Sequence, residues 1–167
     1  AMSVTKSFVG VIGEMLIAEG TLDDQKPVGE YVPELIDSAF GSASLRQVMD
    51  MTTALDYNEN YADPESDIWS YAAAGNPAPK PASYRGPRSL YEFLEGVEQD
   101  GEHGENFVYK SINTDVLAWV IARASGKDFI EHLSEKIWQP LGMEQEADMM
   151  VDSLAVSYTH LTLPTIH

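Results

Sequence analysis

Cysteine is absent from the 167 residues, which excludes disulfides, thiolate metal sites and a cysteine nucleophile. Basic residues are scarce: 10 Lys and Arg stand against 27 Asp and Glu, a formal net charge of -17. Phosphate binding needs clustered cations, so this balance argues against nucleic acid and anionic membranes as partners and for an acidic, solubilising shell. No apolar run approaches the ~20 residues of a membrane span. No glycine-rich loop of the phosphate-cradling kind occurs. Ahead of the C-terminal stretch the only histidines are His103, in a Gly-Glu loop, and His132, placed by the pattern on a charged helix face. Neither has zinc-ligand spacing or a triad partner. Asp56, Asn58, Asn60 and Asp67 mimic a calcium loop, but Tyr61 stands where such a loop needs glycine, Asp67 where it needs glutamate, and Pro64 intrudes. No metal and no cofactor are therefore expected.

Hydrophobic content of 44% with 10% aromatics describes a foldable sequence, and the length suits one domain with a real core. Strand signals are nearly missing, so the chain as given is read as mainly α. Phe8, Val9, Ile12, Met15 and Leu16 repeat at helical spacing across residues 2–19, with Gly20 as the stop. Ser44-Leu45-Arg46-Gln47 is a capping-box pattern opening a second helix, and Ser89-Leu90-Tyr91-Glu92 opens another. Val116, Leu117, Val120 and Ile121 mark a helix ended by Gly126. Phe129, Ile130, Leu133, Ile137 and Trp138 mark the last one, ended by Pro140. Between residues 56 and 87 the pattern dissolves into a long loop. Its aromatics (Tyr57, Tyr61, Trp69, Tyr71 and Tyr84) favour an ordered, ligand-facing segment.

Two places carry chemistry. Ser3 and Lys6 are three residues apart, close to one helical turn, so a hydroxyl and an amine share a helix face. A partly desolvated amine there can take the serine proton. By spacing alone the pair also reads as a helix N-cap serine followed by a solvated lysine. Tyr109-Lys110-Ser111 stands at the entry to a helix. A tyrosine beside cations can serve as acid and base. Alone it also reads as a packed tyrosine with its hydroxyl in water.

Taken together, Ser3-Val4-Thr5-Lys6 and the distant Tyr109-Lys110-Ser111 resemble the first two motifs of the serine β-lactamase and penicillin-binding-protein superfamily. The second motif is of the tyrosine type, as in class C β-lactamases and related esterases and amidases. Ile137-Trp138-Gln139-Pro140-Leu141-Gly142-Met143 resembles the family's helix ending in a Pro-Leu-Gly-Met turn. Within the superfamily the chain is most similar to the 6-aminohexanoate-dimer hydrolases, the nylon-oligomer amidases. That likeness rests on Ser3 to Phe8, Glu30-Tyr31-Val32-Pro33-Glu34-Leu35, Asp56-Tyr57-Asn58-Glu59-Asn60-Tyr61-Ala62-Asp63-Pro64 and Asn113-Thr114-Asp115-Val116-Leu117-Ala118-Trp119.

The resemblance implies Ser3 as nucleophile, Lys6 as its base and Tyr109 as proton shuttle to the leaving group. It implies a substrate-binding role for Ser111, where many relatives carry asparagine, and for Tyr61, which matches a loop tyrosine that closes over the substrate amide. The implied reaction is cleavage of a short linear amide through an acyl-enzyme on Ser3. A class C β-lactamase, D,D-peptidase or carboxylesterase activity is the alternative within the superfamily. A non-catalytic ligand-binding paralogue and an inactive fragment are the alternatives outside it. The partner is then a small-molecule amide or ester. The implied compartment is the cytoplasm.

The family's α/β fold joins a helical region to an antiparallel sheet whose strands come before and after it. Residues 1–155 are expected to supply the helical region with those strands missing at both ends. One oxyanion-hole donor would be the Ser3 N–H, the other a late strand absent here. Such a chain is expected to expose apolar helix faces, to be marginally stable and to lack activity by itself. Residues 156–167 do not resemble the family. They look like the in-frame translation of a sequencing adaptor, and so are expected to be non-native.

Overall fold

The computed structural model describes residues 3–146, 148–151 and 157–162. In chain order the helices are α1 (Val4–Ala18), α2 (Val28–Tyr31), α3 (Leu45–Met49), α4 (Asp67–Gly75), α5 (Leu90–Glu95), α6 (Ile112–Ser125) and α7 (Phe129–Leu133). Two short strands, β1 (Asp148–Val151) and β2 (Ser157–Thr162), come last.

Helix α1 buries Thr5, Val9, Ile12, Gly13 and Leu16, a stripe at the three- and four-residue steps of an α-helix. The stripe packs against α6 and α7. Gly13 lets the helices approach closely, since a Cβ there would lie 3.1 Å from Met49 Cε and 3.4 Å from Leu117 Cδ1. Val4 and Val11 remain exposed on the other face of α1. Helix α6 is the centre of the domain. Nine of its 14 residues are buried, among them Ile112, Val116, Val120 and Ile121. It ends where Gly126 takes a left-handed φ of 73° and returns its N–H to the Ala122 carbonyl, as the sequence pattern predicts. Truncating Ile12 or Ile121, neither of which has any exposed surface, would cost about 2–5 kcal/mol.

The capping signals are largely realised. Ser44 and Gln47 form a complete capping box, and the Ser89 side chain accepts from the Glu92 N–H. In the second case the Glu92 carboxylate accepts instead from the Arg88 N–H at 2.7 Å. Asp128 and Glu131 form a further box that opens α7. Past α7 the chain widens into a π-turn over Ser134–Trp138, with the Gln139 N–H on the Ser134 carbonyl. The Pro-Leu-Gly-Met turn follows, with Gly142 at φ 65° and the Met143 N–H on the Trp138 carbonyl.

Three expectations need correction. The stretch 56–87 is no uninterrupted loop, because α4 lies within it. Asp67 sits in its first turn, and Ile68, Tyr71 and Ala74 turn inward on a run of small residues too short to display a clear period. Its aromatics do not all face a ligand either. Tyr57 and Tyr71 are buried edge-on against Phe93, at centroid distances of 6.0 and 5.8 Å, while Tyr61 and Trp69 stay exposed and edge-on to each other. His132, read as standing on a charged helix face, is not exposed there. It is buried, with Nε2 2.8 Å from Ser125 Oγ at the end of α6.

Strand content among the described residues is confined to the antiparallel β1–β2 pair and two isolated bridges, Pro27 with Ser44 and Leu55 with Gln99. The chain is thus mostly helical. In the β pair Asp148 faces Thr162 and Met149 faces Leu161, with an irregularity before Val151 faces Ser157. β2 runs beside α1 and α6. It falls within residues 156–167, the stretch expected from the sequence to be non-native. A Ser-Tyr-Thr-His-Leu-Thr run pairs readily with any open edge whatever its origin. Among the described residues, no helix is long and apolar enough to cross a membrane.

Candidate active site

The first turn of α1 and the segment before α6 meet, although 106 residues separate them. Ser3 occupies the position before α1 with helical angles (φ -75°, ψ -11°), and its side chain makes no capping bond. The capping explanation therefore fails for this serine. Its Oγ instead accepts a hydrogen bond from the Tyr109 hydroxyl at 3.1 Å. Lys6, one turn along and half-buried, sets Nζ 5.6 Å from the centroid of the Tyr109 ring, within the range of a cation–π contact. Amine, phenol and serine hydroxyl form one group open to solvent, with Tyr109 44% exposed.

Tyr109 is held by what lies on either side of it. The Val108 N–H donates to the Met51 carbonyl at 3.0 Å. The Lys110 amine donates to the Leu55 carbonyl at 2.5 Å, turning away from Ser3, and burial pushes it below its ordinary value while Asp100 and Asp56 oppose the shift. Beneath them, fully buried Asn113 donates from Nδ2 to the Lys110 carbonyl at 3.3 Å and accepts from Thr53 Oγ1 at 2.7 Å. His103 braces the same segment from the far side: its Nδ1 accepts the Ala54 N–H at 2.9 Å, and Nε2 lies 3.3 Å from Ser42 Oγ. Burial holds this imidazole below its usual value.

The other two expected residues share a partner that sequence reasoning missed. Ser111 is buried, and its Oγ and N–H donate to the two carboxylate oxygens of Glu59 at 2.7 and 2.6 Å. The Tyr61 hydroxyl donates to the same carboxylate at 2.8 Å. Burial first, then the hydrogen bond and charge of Glu59, push the Tyr61 phenol up to about 12, with Tyr109 adding to the shift and the Ser111 side chain opposing it. Glu59 falls in the family-like Asp56 to Pro64 stretch, but as one of 27 acids at no motif spacing it draws no role from the sequence. Next to these residues an open groove of about 500 Å³ is lined by Tyr109, Lys110, Asp56, Glu59 and Asp100 among others. A smaller hollow of about 250 Å³ lies at Tyr61, Ala62, Pro64 and Trp69. Asn58, Asn60 and Asp67 bond to backbone N–H groups of their own loop. Among the described residues no group of three or more His, Asp or Glu is arranged to hold a metal ion.

A family model described as Beta-lactamase matches residues 1–145. The chain is 40% identical, over 167 residues, to 6-aminohexanoate-dimer hydrolase of Paenarthrobacter ureafaciens, covering 95% of this chain and 40% of that protein. It is 22% identical to a Beta-lactamase of Yersinia enterocolitica over 93% of this chain and 35% of the relative. Among solved structures, one from Bacillus anthracis, provisionally named a 6-aminohexanoate-dimer hydrolase, superposes with a TM-score of 0.83 at 32% identity, over 96% of this chain and 42% of that one. The chain thus spans 40% or less of the length of these curated relatives. A match that takes in both the Ser3–Lys6 turn and the Tyr109 segment leaves no doubt of lineage: the chain belongs to the Beta-lactamase family.

Proposed function

We propose that the chain carries the acylating part of a serine hydrolase that cleaves a short linear amide, with Ser3 as nucleophile. The observation that carries this reading is the 3.1 Å contact between Tyr109 and Ser3 with Lys6 over the tyrosine ring. Lys6 takes the Ser3 proton, and Oγ bonds to the substrate carbonyl carbon to give a tetrahedral intermediate. The C–N bond then breaks as Tyr109 delivers a proton to the leaving amine, which leaves an ester on Ser3. Water adds to that ester as its proton passes to the Tyr109 phenolate, the C–Oγ bond breaks, Ser3 regains its proton from Lys6 and the acid departs. Dividing one amide cleavage into two steps lowers each barrier, and the developing oxyanion needs backbone N–H donors, of which Ser3 can supply one. Tyr61, which lines the neighbouring hollow, takes the substrate amide in this reading, with Ser111 held on the same Glu59 carboxylate. The preference for a linear amide over a β-lactam or ester is supported by the 40% identity to 6-aminohexanoate-dimer hydrolase.

The activity is proposed for the full reading frame that carries residues 1–155, because the chain spans two fifths of that relative. Residues 156–167 are proposed to be adaptor-derived, and the genomic sequence across position 155 tests this. For the hydrolase reading, the test is labelling by a serine-directed phosphonate in the full frame. Ser3 should carry the adduct, Ser3→Ala should abolish it, and 6-aminohexanoate dimer should be turned over faster than a chromogenic cephalosporin. An adduct on another serine, or activity that survives Ser3→Ala, refutes the reading. Faster cephalosporin turnover would keep the nucleophile and overturn the substrate.

A further inference from the structure

We infer that Glu59 is a positioning residue of this site: its carboxylate ties the Tyr61 loop to Ser111 at the head of α6 and fixes the direction in which the Tyr61 hydroxyl points. The inference rests on the proposed function for its catalytic consequence, and on geometry alone for the tie.

Three donors converge on one side chain. Oε1 accepts from Tyr61 Oη at 2.8 Å and from Ser111 Oγ at 2.7 Å, while Oε2 accepts from the Ser111 N–H at 2.6 Å. Glu59 and Ser111 are 52 residues apart, so these bonds join two segments that no helix or strand links. Among the described residues Glu59 makes no ion pair, so its charge is balanced by donors alone. Hydrogen bonds to a charged acceptor are roughly twice as strong as neutral ones, enough to hold a loop that otherwise bonds mainly within itself.

The chemistry follows from counting protons. A hydroxyl has one donor and two lone pairs. Both hydroxyls give their proton to Glu59, so what Tyr61, 63% exposed, has left to offer a ligand is an acceptor oxygen. A ligand N–H fits that oxygen, and a ligand carbonyl does not. Glu59 thereby settles the polarity of a group it does not itself present to the substrate. Its charge also opposes ionisation of the phenol, so Tyr61 stays neutral across the range in which a hydrolase works.

The tie can be read without turnover, by ¹³Cζ-tyrosine NMR of the full reading frame at pH 11, with Tyr61→Phe assigning the signal. With its midpoint pushed up to about 12, Tyr61 in the native protein is about one-tenth ionised there. In Glu59→Gln the midpoint should fall by about a unit, giving about half ionisation. Burial, the largest single cause of the shift, remains in the variant, so the phenol should not return fully to its ordinary value. Glu59→Asp keeps the charge and should stay closer to the native behaviour. Tyr57, held far above the ordinary tyrosine range by burial, reports whether each variant is folded under these conditions. In turnover, Glu59→Gln should lower kcat/KM about tenfold, with the larger part in KM. An unshifted Tyr61 in folded Glu59→Gln, or equal shifts in the Gln and Asp variants, overturns the inference even where Ser3 is labelled. Failure of Ser3 labelling with a shifted Tyr61 would overturn the hydrolase reading and leave the tie standing.

Discussion

Tyr109→Phe separates a proton carrier from a bystander by magnitude. The change removes only Oη and leaves the ring under Lys6, so the cation–π contact survives. If the hydroxyl merely bonds Ser3, the loss is one neutral hydrogen bond of 3.1 Å at a half-exposed position, about 0.5–1.5 kcal/mol, or about two- to tenfold in rate. If Tyr109 delivers the proton to the leaving amine, the loss is that of a general acid, about 10²–10⁴-fold. The two ranges do not overlap. The assay is single-turnover acylation of Ser3 in the full reading frame, first with an amide and then with an ester whose leaving group is a nitrophenolate. An amine cannot leave without a proton, whereas a nitrophenolate can, so the deficit should be large for the amide and should shrink strongly for the ester. Tyr109 is too exposed for the change to affect folding by more than about 0.5 kcal/mol, and a thermal melt checks this. A loss below tenfold on the amide, or equal losses on amide and ester, refutes the role assigned to Tyr109.

Two further outcomes concern the support beneath the site. Thr53→Val keeps the shape of a buried side chain but leaves Asn113 Oδ1 without its 2.7 Å donor, and should cost about 1–3 kcal/mol in urea unfolding. A cost under about 0.5 kcal/mol would mean that Asn113 finds another partner and that this bond does not hold the Lys110 turn. His132 is kept neutral by burial first and then by Lys136 and Lys127, with Glu135 and Glu19 opposing, so its folded-state value lies below the unfolded one. As pH falls below about 6.5 the unfolded chain takes the proton first, and stability should decline until the folded-state midpoint is passed. His103 shifts in the same direction. Urea unfolding at pH 7.5 and 5.5 checks this: the decline should shrink in His132→Asn, and stability that rises on acidification would contradict the sign.

The helices were legible because each is written locally. Ser44 with Gln47, the stripe of Val9, Ile12 and Leu16, and the stop at Gly126 all act within a few residues, and each stands where the pattern placed it. Helix α4 escaped because its inward residues, Ile68, Tyr71 and Ala74, span barely two turns inside a run rich in Pro, Gly and Asn. His132 escaped for a related reason. Charged neighbours in sequence suggested a wet face, while its burial depends on Ser125 at the end of another helix. The site divides in the same way. Ser3 and Lys6 share a helical turn, so their proximity could be read directly, but the contact with Tyr109 spans 106 residues and was accessible only through family resemblance. Glu59 lies inside the Asp56 to Pro64 stretch that resembles the family, but neither its spacing nor the resemblance gives it a role. A carboxylate that acts by accepting three hydrogen bonds leaves no periodic or spaced trace, and in so acidic a chain one more glutamate carries no information. What singles it out is convergence, two hydroxyls and a backbone N–H on one side chain. It follows that positioning residues of this kind are the part of an active site hardest to read from sequence, even when the nucleophile is plain.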